Sequence, residues 1–166
     1  MKLLLISNST LHGSGYLDHC EQDILSFLGG DVKSILFVPF ARPSGVSHDE
    51  YTAKARDRFR QMGIELKSIH ESDDMQKAVA GAEAVFTGGG NSFLLASQLQ
   101  NNSLLEPIAA RVRGGMPYIG TSAGSNVACP TIMTTNDMPI IQPPSFGALN
   151  LVPFQINPHY LDPDPD

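Results

Sequence analysis

In the stretch "IGTSAGSN", residues 119–126, Ser122 stands between Gly120 and Gly124 in the pattern G-x-S-x-G. The apolar run "MPYIGT" precedes the serine, and a helix is expected directly after it. A serine on such a strand-to-helix turn is held on a sharp, strained backbone with its hydroxyl exposed, and small flanking residues let strand and helix come close. The helix start also offers free backbone N–H groups, here that of Ala123, which favour a developing oxyanion. A glycine-lined turn with a capping serine has the same sequence, so the chemistry depends on partners. A base is needed to take the hydroxyl proton. His12, His19, His48 and His70 fall near expected element ends or exposed faces and read as solvated. His159, in "QINPH", follows the apolar run "LVPFQI", which as a last strand would return it to the edge that carries the serine. Asp137, in "TTNDMP", lies between the two and gives the order Ser, Asp, His of an α/β-hydrolase, without the strand-helix units such enzymes insert between them. Asp162, Asp164 and Asp166, in "DPDPD", read as a solvated tail.

A second segment, "TGGGN" (87–91), has three glycines whose N–H groups can face a ligand because no Cβ intervenes. It lacks the Lys-Ser/Thr of a P-loop and the spacing of a dinucleotide fingerprint. Donation of a second oxyanion hydrogen bond from Gly90 N–H, beside that of Ala123, suits it better. A tight turn capped by Asn91 is compatible with this, and Asn91 is also a candidate substrate contact.

The elements that must position these residues follow from the apolar pattern. Strand-like runs occupy 2–7, 34–40, 65–70, 83–89, 116–121 and 151–156. Helical periodicity fills 17–28, ended by Gly29 and Gly30, and 48–62, where Tyr51, Ala55, Phe59 and Met62 share a face. Ser47 and Glu50 form a capping box at that second helix's start. Further helices are expected after Ser72, after Asn91, across 104–113 and after Ser122. Alternating strands and helices predict an α/β fold with a mostly parallel sheet, helices on both faces and the elbow after a central strand. The segments "SNST", "TGGGN" and "TSAG" each follow a strand, so all three gather at the carboxyl edge, where open parallel sheets bind ligands. Residues 130–149 hold Pro130, Pro139, Pro143 and Pro144 and little periodicity, which predicts a long loop over one end of the sheet.

A chain of 166 residues, 42% hydrophobic and 17% charged, has the composition of a single globular domain. A net charge of -6 and scattered Lys and Arg argue against nucleic acid as a partner. The amino-terminal apolar run, Leu3 to Ile6, is too short for a secretory or membrane segment, and a cytoplasmic location is expected. Cys20 and Cys129 lack metal-ligand spacing and read as reduced packing residues. No H-E-x-x-H and no carboxylate–histidine cluster at ligand spacing is present, so neither a metal nor another cofactor is implied.

The segments "LLLISNST", "FVPFA", "TGGGNSF", "YIGTSAGSNVACPTI", "TTNDMPI" and "FQINPH" closely resemble the peptidase E family of α-aspartyl dipeptidases, over essentially the whole chain. The resemblance implies a cytoplasmic serine peptidase that cleaves dipeptides with an amino-terminal aspartate, on a fold like that of class I glutamine amidotransferases. By position it implies Ser122 as nucleophile and His159 as base. Asp137 stands where an aspartate is often assigned to the charge relay, while the family's structural picture gives that role to a glutamate downstream of the histidine. Family chains continue beyond the point where this sequence stops, seven residues after His159. The resemblance therefore implies a single catalytic domain, 1–166, lacking a carboxyl-terminal part and associated with that segment of the same polypeptide. It also implies pairing into a homodimer. Two other readings remain open: a cyanophycinase-like peptidase, and a non-catalytic module whose glycine loops hold an anion. An amidotransferase would carry cysteine in the elbow.

Overall fold

Five parallel strands, in the order β1-β5-β4-β2-β3, form one sheet in the computed structural model, which describes residues 1–43 and 45–159. The strands are β1 (Leu3–Ile6), β2 (Ser34–Val38), β3 (Glu65–Ser68), β4 (Val85–Thr87) and β5 (Tyr118–Thr121). Successive side chains of a strand point to opposite faces, and each apolar run is divided accordingly. Leu36, Val38, Val85 and Tyr118 enter one core, while Ile35, Phe37, Phe86 and Ile119 enter the other. Strands covered on both faces have no need of polar alternation.

Helices α1 (Glu21–Leu28) and α2 (His48–Gln61) cover the second face, through Ile24, Leu28, Tyr51, Ala55 and Phe59. Helices α3 (Met75–Ala80), α4 (Ser92–Asn101), α5 (Leu105–Arg113) and α6 (Ala123–Asn126) pack on the first. The chain moves outward from β1 to β2 to β3 with its helices on one face, then back to β4 and β5 with them on the other. Changing face with direction keeps every crossover of one hand. The Ser47–Glu50 capping box forms as expected, with Glu50 N–H donating to Ser47 Oγ and Ser47 N–H to the glutamate.

Two expectations are corrected. The run 151–156 is not a strand: Leu149 and Leu151 donate their N–H groups to Val127 and Ala128 carbonyls, wrapping the chain around the end of α6. Its apolar residues fill a core position beside a helix, a job that an apolar run does as well as strand pairing. His48 and His70 are not solvated but half-buried. The His70 ring lies between Ser68 Oγ (2.6 Å) and Asp49 (2.8 Å), with the His48 ring 5.4 Å away. The "DPDPD" tail lies outside the described residues.

Among the described residues, no helix is long and apolar enough to cross a membrane. Both cysteines are free and buried.

Candidate active site

Every residue from Met116 to Cys129 is buried except Ser122. That single exposure is a product of local backbone geometry. Ser122 has φ 52° and ψ −112°, a conformation that non-glycine residues rarely hold and that persists only when its surroundings enforce it. Ser122 N–H donates to the Ile6 carbonyl at 2.9 Å, and Ser125 Oγ donates to Ile6 and Gly120 carbonyls at 2.9 and 2.8 Å. The Tyr118 hydroxyl donates to the Gly124 carbonyl at 2.6 Å, and burial pushes its pKa above the ordinary range. Strand β5, strand β1 and α6 are thus laced together beneath one hydroxyl.

The flanking glycines are explained by contact. A Cβ on Gly120 would strike the Gly124 carbonyl, and one on Gly124 would strike the Thr87 carbonyl of β4. Neither position tolerates a side chain without parting strand from helix.

The glycine segment after β4 meets the elbow from the next strand. A Cβ on Gly89 would sit 3.0 Å from Ser122 Cβ, and one on Gly90 (φ 147°) would strike the Ala41 carbonyl. Neither Gly90 N–H nor Ala123 N–H donates to a backbone or side-chain acceptor among the described residues. Gly89 N–H, on the glycine that faces Ser122, is likewise without an acceptor among the described residues. Asn91 is occupied at both ends: its Oδ1 caps α4 by accepting from Leu94 N–H at 3.0 Å, and its Nδ2 donates to the Met138 carbonyl at 2.8 Å.

His159 Nε2 lies 2.7 Å from Ser122 Oγ. For that nitrogen to accept the hydroxyl proton, the neutral ring must carry its own proton on Nδ1. His159 has φ 66°, and its N–H donates to Ser7 Oγ at 2.7 Å, tying it to the loop after β1. The segment before it is pinned by side chains. Asn126 Nδ2 donates to the Ile156 carbonyl and to Thr134 Oγ1, both at 3.1 Å, and Thr134 Oγ1 donates to the same carbonyl at 2.6 Å. Ile156 N–H reaches Cys129 Sγ at 3.2 Å, and burial raises that thiol's pKa, which favours the neutral acceptor.

Asp137 lines the same narrow cavity, about 50 Å³, as Ser92, Ser122, Thr135, Pro158 and His159. Its carboxylate is turned to α4, with Oδ2 accepting from Ser92 N–H at 2.7 Å and from Thr135 Oγ1 at 3.0 Å. It makes no hydrogen bond to His159. Larger hollows at the β3 side of the sheet are lined by Lys67, Glu71, Arg56 and Arg60 and lack any of these groups. Ser7, Asn126, Thr134 and Thr135 join the site without having been singled out from sequence; only Ser7 carried a signal, its place in a polar segment after a strand.

The arrangement is a half-buried serine hydroxyl with an imidazole at hydrogen-bond distance, at the carboxyl edge of a parallel sheet. Residues 3–166 match the model of peptidase family S51. The chain is 52% identical to a peptidase E of Streptomyces coelicolor, over 99% of this chain and 66% of the relative. It is 49% identical to a Drosophila melanogaster protein named "Probable alpha-aspartyl dipeptidase", over 98% of this chain and 67% of the relative. It spans about two thirds of the length of these curated relatives. A solved peptidase from an acI-B1 actinobacterium shares the fold, with a TM-score of 0.72 at 19% identity over 95% of this chain and 67% of that one. On the family match over residues 3–166 and these identities, the chain belongs to peptidase family S51.

Proposed function

We propose that this chain provides the nucleophile and base of a serine-type dipeptidase that hydrolyses Asp-X through an acyl-enzyme, with residues 1–166 acting as one catalytic domain in the cytoplasm. The observation that carries the reading is the 2.7 Å approach of His159 Nε2 to Ser122 Oγ on a strained elbow. The names of the relatives, peptidase E and α-aspartyl dipeptidase, support the substrate class.

In this mechanism Ser122 Oγ attacks the carbonyl carbon of the aspartyl residue as its proton passes to His159 Nε2. Negative charge develops on the carbonyl oxygen, and the N–H groups of Gly90 and Ala123 receive it. Donors fixed in advance stabilise such charge without reorganising at the moment of reaction. The imidazolium then protonates the leaving amine, residue X departs, and a water activated by the same imidazole cleaves the ester. Asn91 acts by holding the 130–149 loop against α4. The chemistry calls for no cofactor.

The test is hydrolysis of Asp-Leu by wild type and Ser122→Ala. The variant is expected to keep its melting temperature and lose about four orders of magnitude or more in kcat. Turnover near the wild-type rate in the alanine variant contradicts the assignment of the nucleophile. The reading of a binding module without catalysis predicts that neither protein cleaves the peptide.

A further inference from the structure

Asp137 shares a cavity with Ser122 and His159, yet it makes no hydrogen bond to the imidazole. Its Oδ2 is fixed by Ser92 N–H and Thr135 Oγ1, and its own N–H donates to Thr135 Oγ1 at 3.1 Å, so the half-buried carboxylate is held in one orientation. Its Oδ1 has no donor, and no Lys, Arg or His forms an ion pair with it, among the described residues. An ionised carboxylate can accept about four hydrogen bonds, so Oδ1 is open to a further donor. Capping α4 accounts for one oxygen only, because Asn91 already caps that helix through Leu94 N–H.

A dipeptide with a free amino terminus brings such a partner. Its α-ammonium sits two bonds from the carbonyl carbon that Ser122 attacks, so a group receiving it must lie beside the serine. We infer that Asp137 is the receptor for the substrate's α-ammonium group, and that this contact restricts the enzyme to releasing a single amino-terminal residue. The inference rests on the dipeptidase reading and assigns it a specificity-determining residue. Asp137 then works on the substrate directly and leaves the orientation of His159 to another group.

The experiment compares Asp-Leu with N-succinyl-leucine, which keeps the β-carboxylate and the scissile amide but has hydrogen in place of the ammonium. Both are assayed with wild type, Asp137→Asn and Asp137→Glu. Wild type is expected to prefer Asp-Leu by about 100-fold in kcat/KM, the range of a charge-assisted hydrogen bond. In Asp137→Asn, which keeps an oxygen for Ser92 N–H, KM for Asp-Leu should rise about 10- to 100-fold with a much smaller change in kcat, and the preference should shrink by the same factor. Asp137→Glu should recover part of that preference, and it carries the comparison if the asparagine variant unfolds. A fall in kcat with KM and preference unchanged would instead place Asp137 in the charge relay. Equal losses on both substrates would make its role structural, and no change on either would remove it from the site. Each of these overturns the inference while the peptidase reading stands. Failure of wild type to cleave Asp-Leu removes both.

Discussion

The two halves of the reactive pair are held in opposite ways. Ser122 is carried by a stretch of buried residues in which backbone meets backbone: β5 against β1 and β4, and the Gly124 backbone against the Thr87 carbonyl. His159 is exposed, in a segment without helix or strand; Ser7 Oγ accepts its N–H, and the side chains of Asn126, Thr134 and Cys129 hold Ile156, three residues before it. The nucleophile's place is therefore a property of the sheet, and disturbing it disturbs the fold. The base's place is a sum of separate contacts, each removable with less damage to the whole. A serine that must hold a strained conformation needs the first kind of support, whereas an imidazole that must give and receive protons is served by the second.

Substitutions in the two regions should separate accordingly. The largest effect is expected for Gly124→Ala. Its new methyl meets the Thr87 carbonyl, in a place where neither strand nor turn can yield, and overpacking of this kind costs about 3 kcal/mol. For a chain of this size that corresponds to a melting temperature lower by roughly 6–12 °C, with activity lost alongside. Gly30→Ala, where an added Cβ meets nothing within 4 Å, should stay within about 0.5 kcal/mol of wild type in the same denaturation experiment. A small effect at Gly124 would mean that the elbow is less tightly enclosed than its contacts indicate.

Asn126→Ala should show the reverse balance. It removes the amide that ties the Ile156 carbonyl to the end of α6, costing about 1–2 kcal/mol. Because it loosens the segment that presents His159, kcat/KM should fall by about 10- to 100-fold, the penalty for a displacement of about 1 Å at a reacting group. Stability measured by denaturation and activity measured on Asp-Leu would then part company. If they fall together as they do at Gly124, the contrast between the regions does not hold.

The same contrast marks what the sequence makes legible. Strands β1 to β5 are visible as apolar runs, and α2 as a face of Tyr51, Ala55, Phe59 and Met62 behind a capping box, because burial on a repeating element leaves a periodic trace. The elbow is visible for a related reason: two backbone approaches require glycine at fixed spacing around Ser122. The 130–159 segment leaves no such trace. Its contacts join residues far apart in sequence, such as Asn91 to Met138, Ser92 to Asp137 and Gln100 to Ser145 and Gly147. Nothing periodic records them. For the same reason "LVPFQI" passes for a strand although the Leu151 N–H goes to the Ala128 carbonyl at the end of α6.

The smallest effect lies outside both regions, in the His48 and His70 cluster beside Asp49. Burial and the neighbouring His70 lower the pKa of His48 from 6.5, outweighing the opposite pull of Asp49. The folded protein then binds fewer protons than the unfolded chain just below pH 6.5, so stability is lost as pH falls through that value toward the depressed one. His48→Gln should flatten this slope in chemical denaturation at successive pH values. An unchanged slope would assign the acid sensitivity elsewhere.

The central claim, that Ser122 is a nucleophile made reactive by His159, is tested most directly by covalent capture. Wild type, His159→Ala and Ser122→Ala are treated with a fluorophosphonate and the modified peptide is located by mass spectrometry. A single adduct on Ser122 in wild type is expected, formed at least about 10³-fold more slowly in His159→Ala and absent from Ser122→Ala. An adduct on another residue, or labelling of Ser122 at an unchanged rate without the histidine, would contradict it.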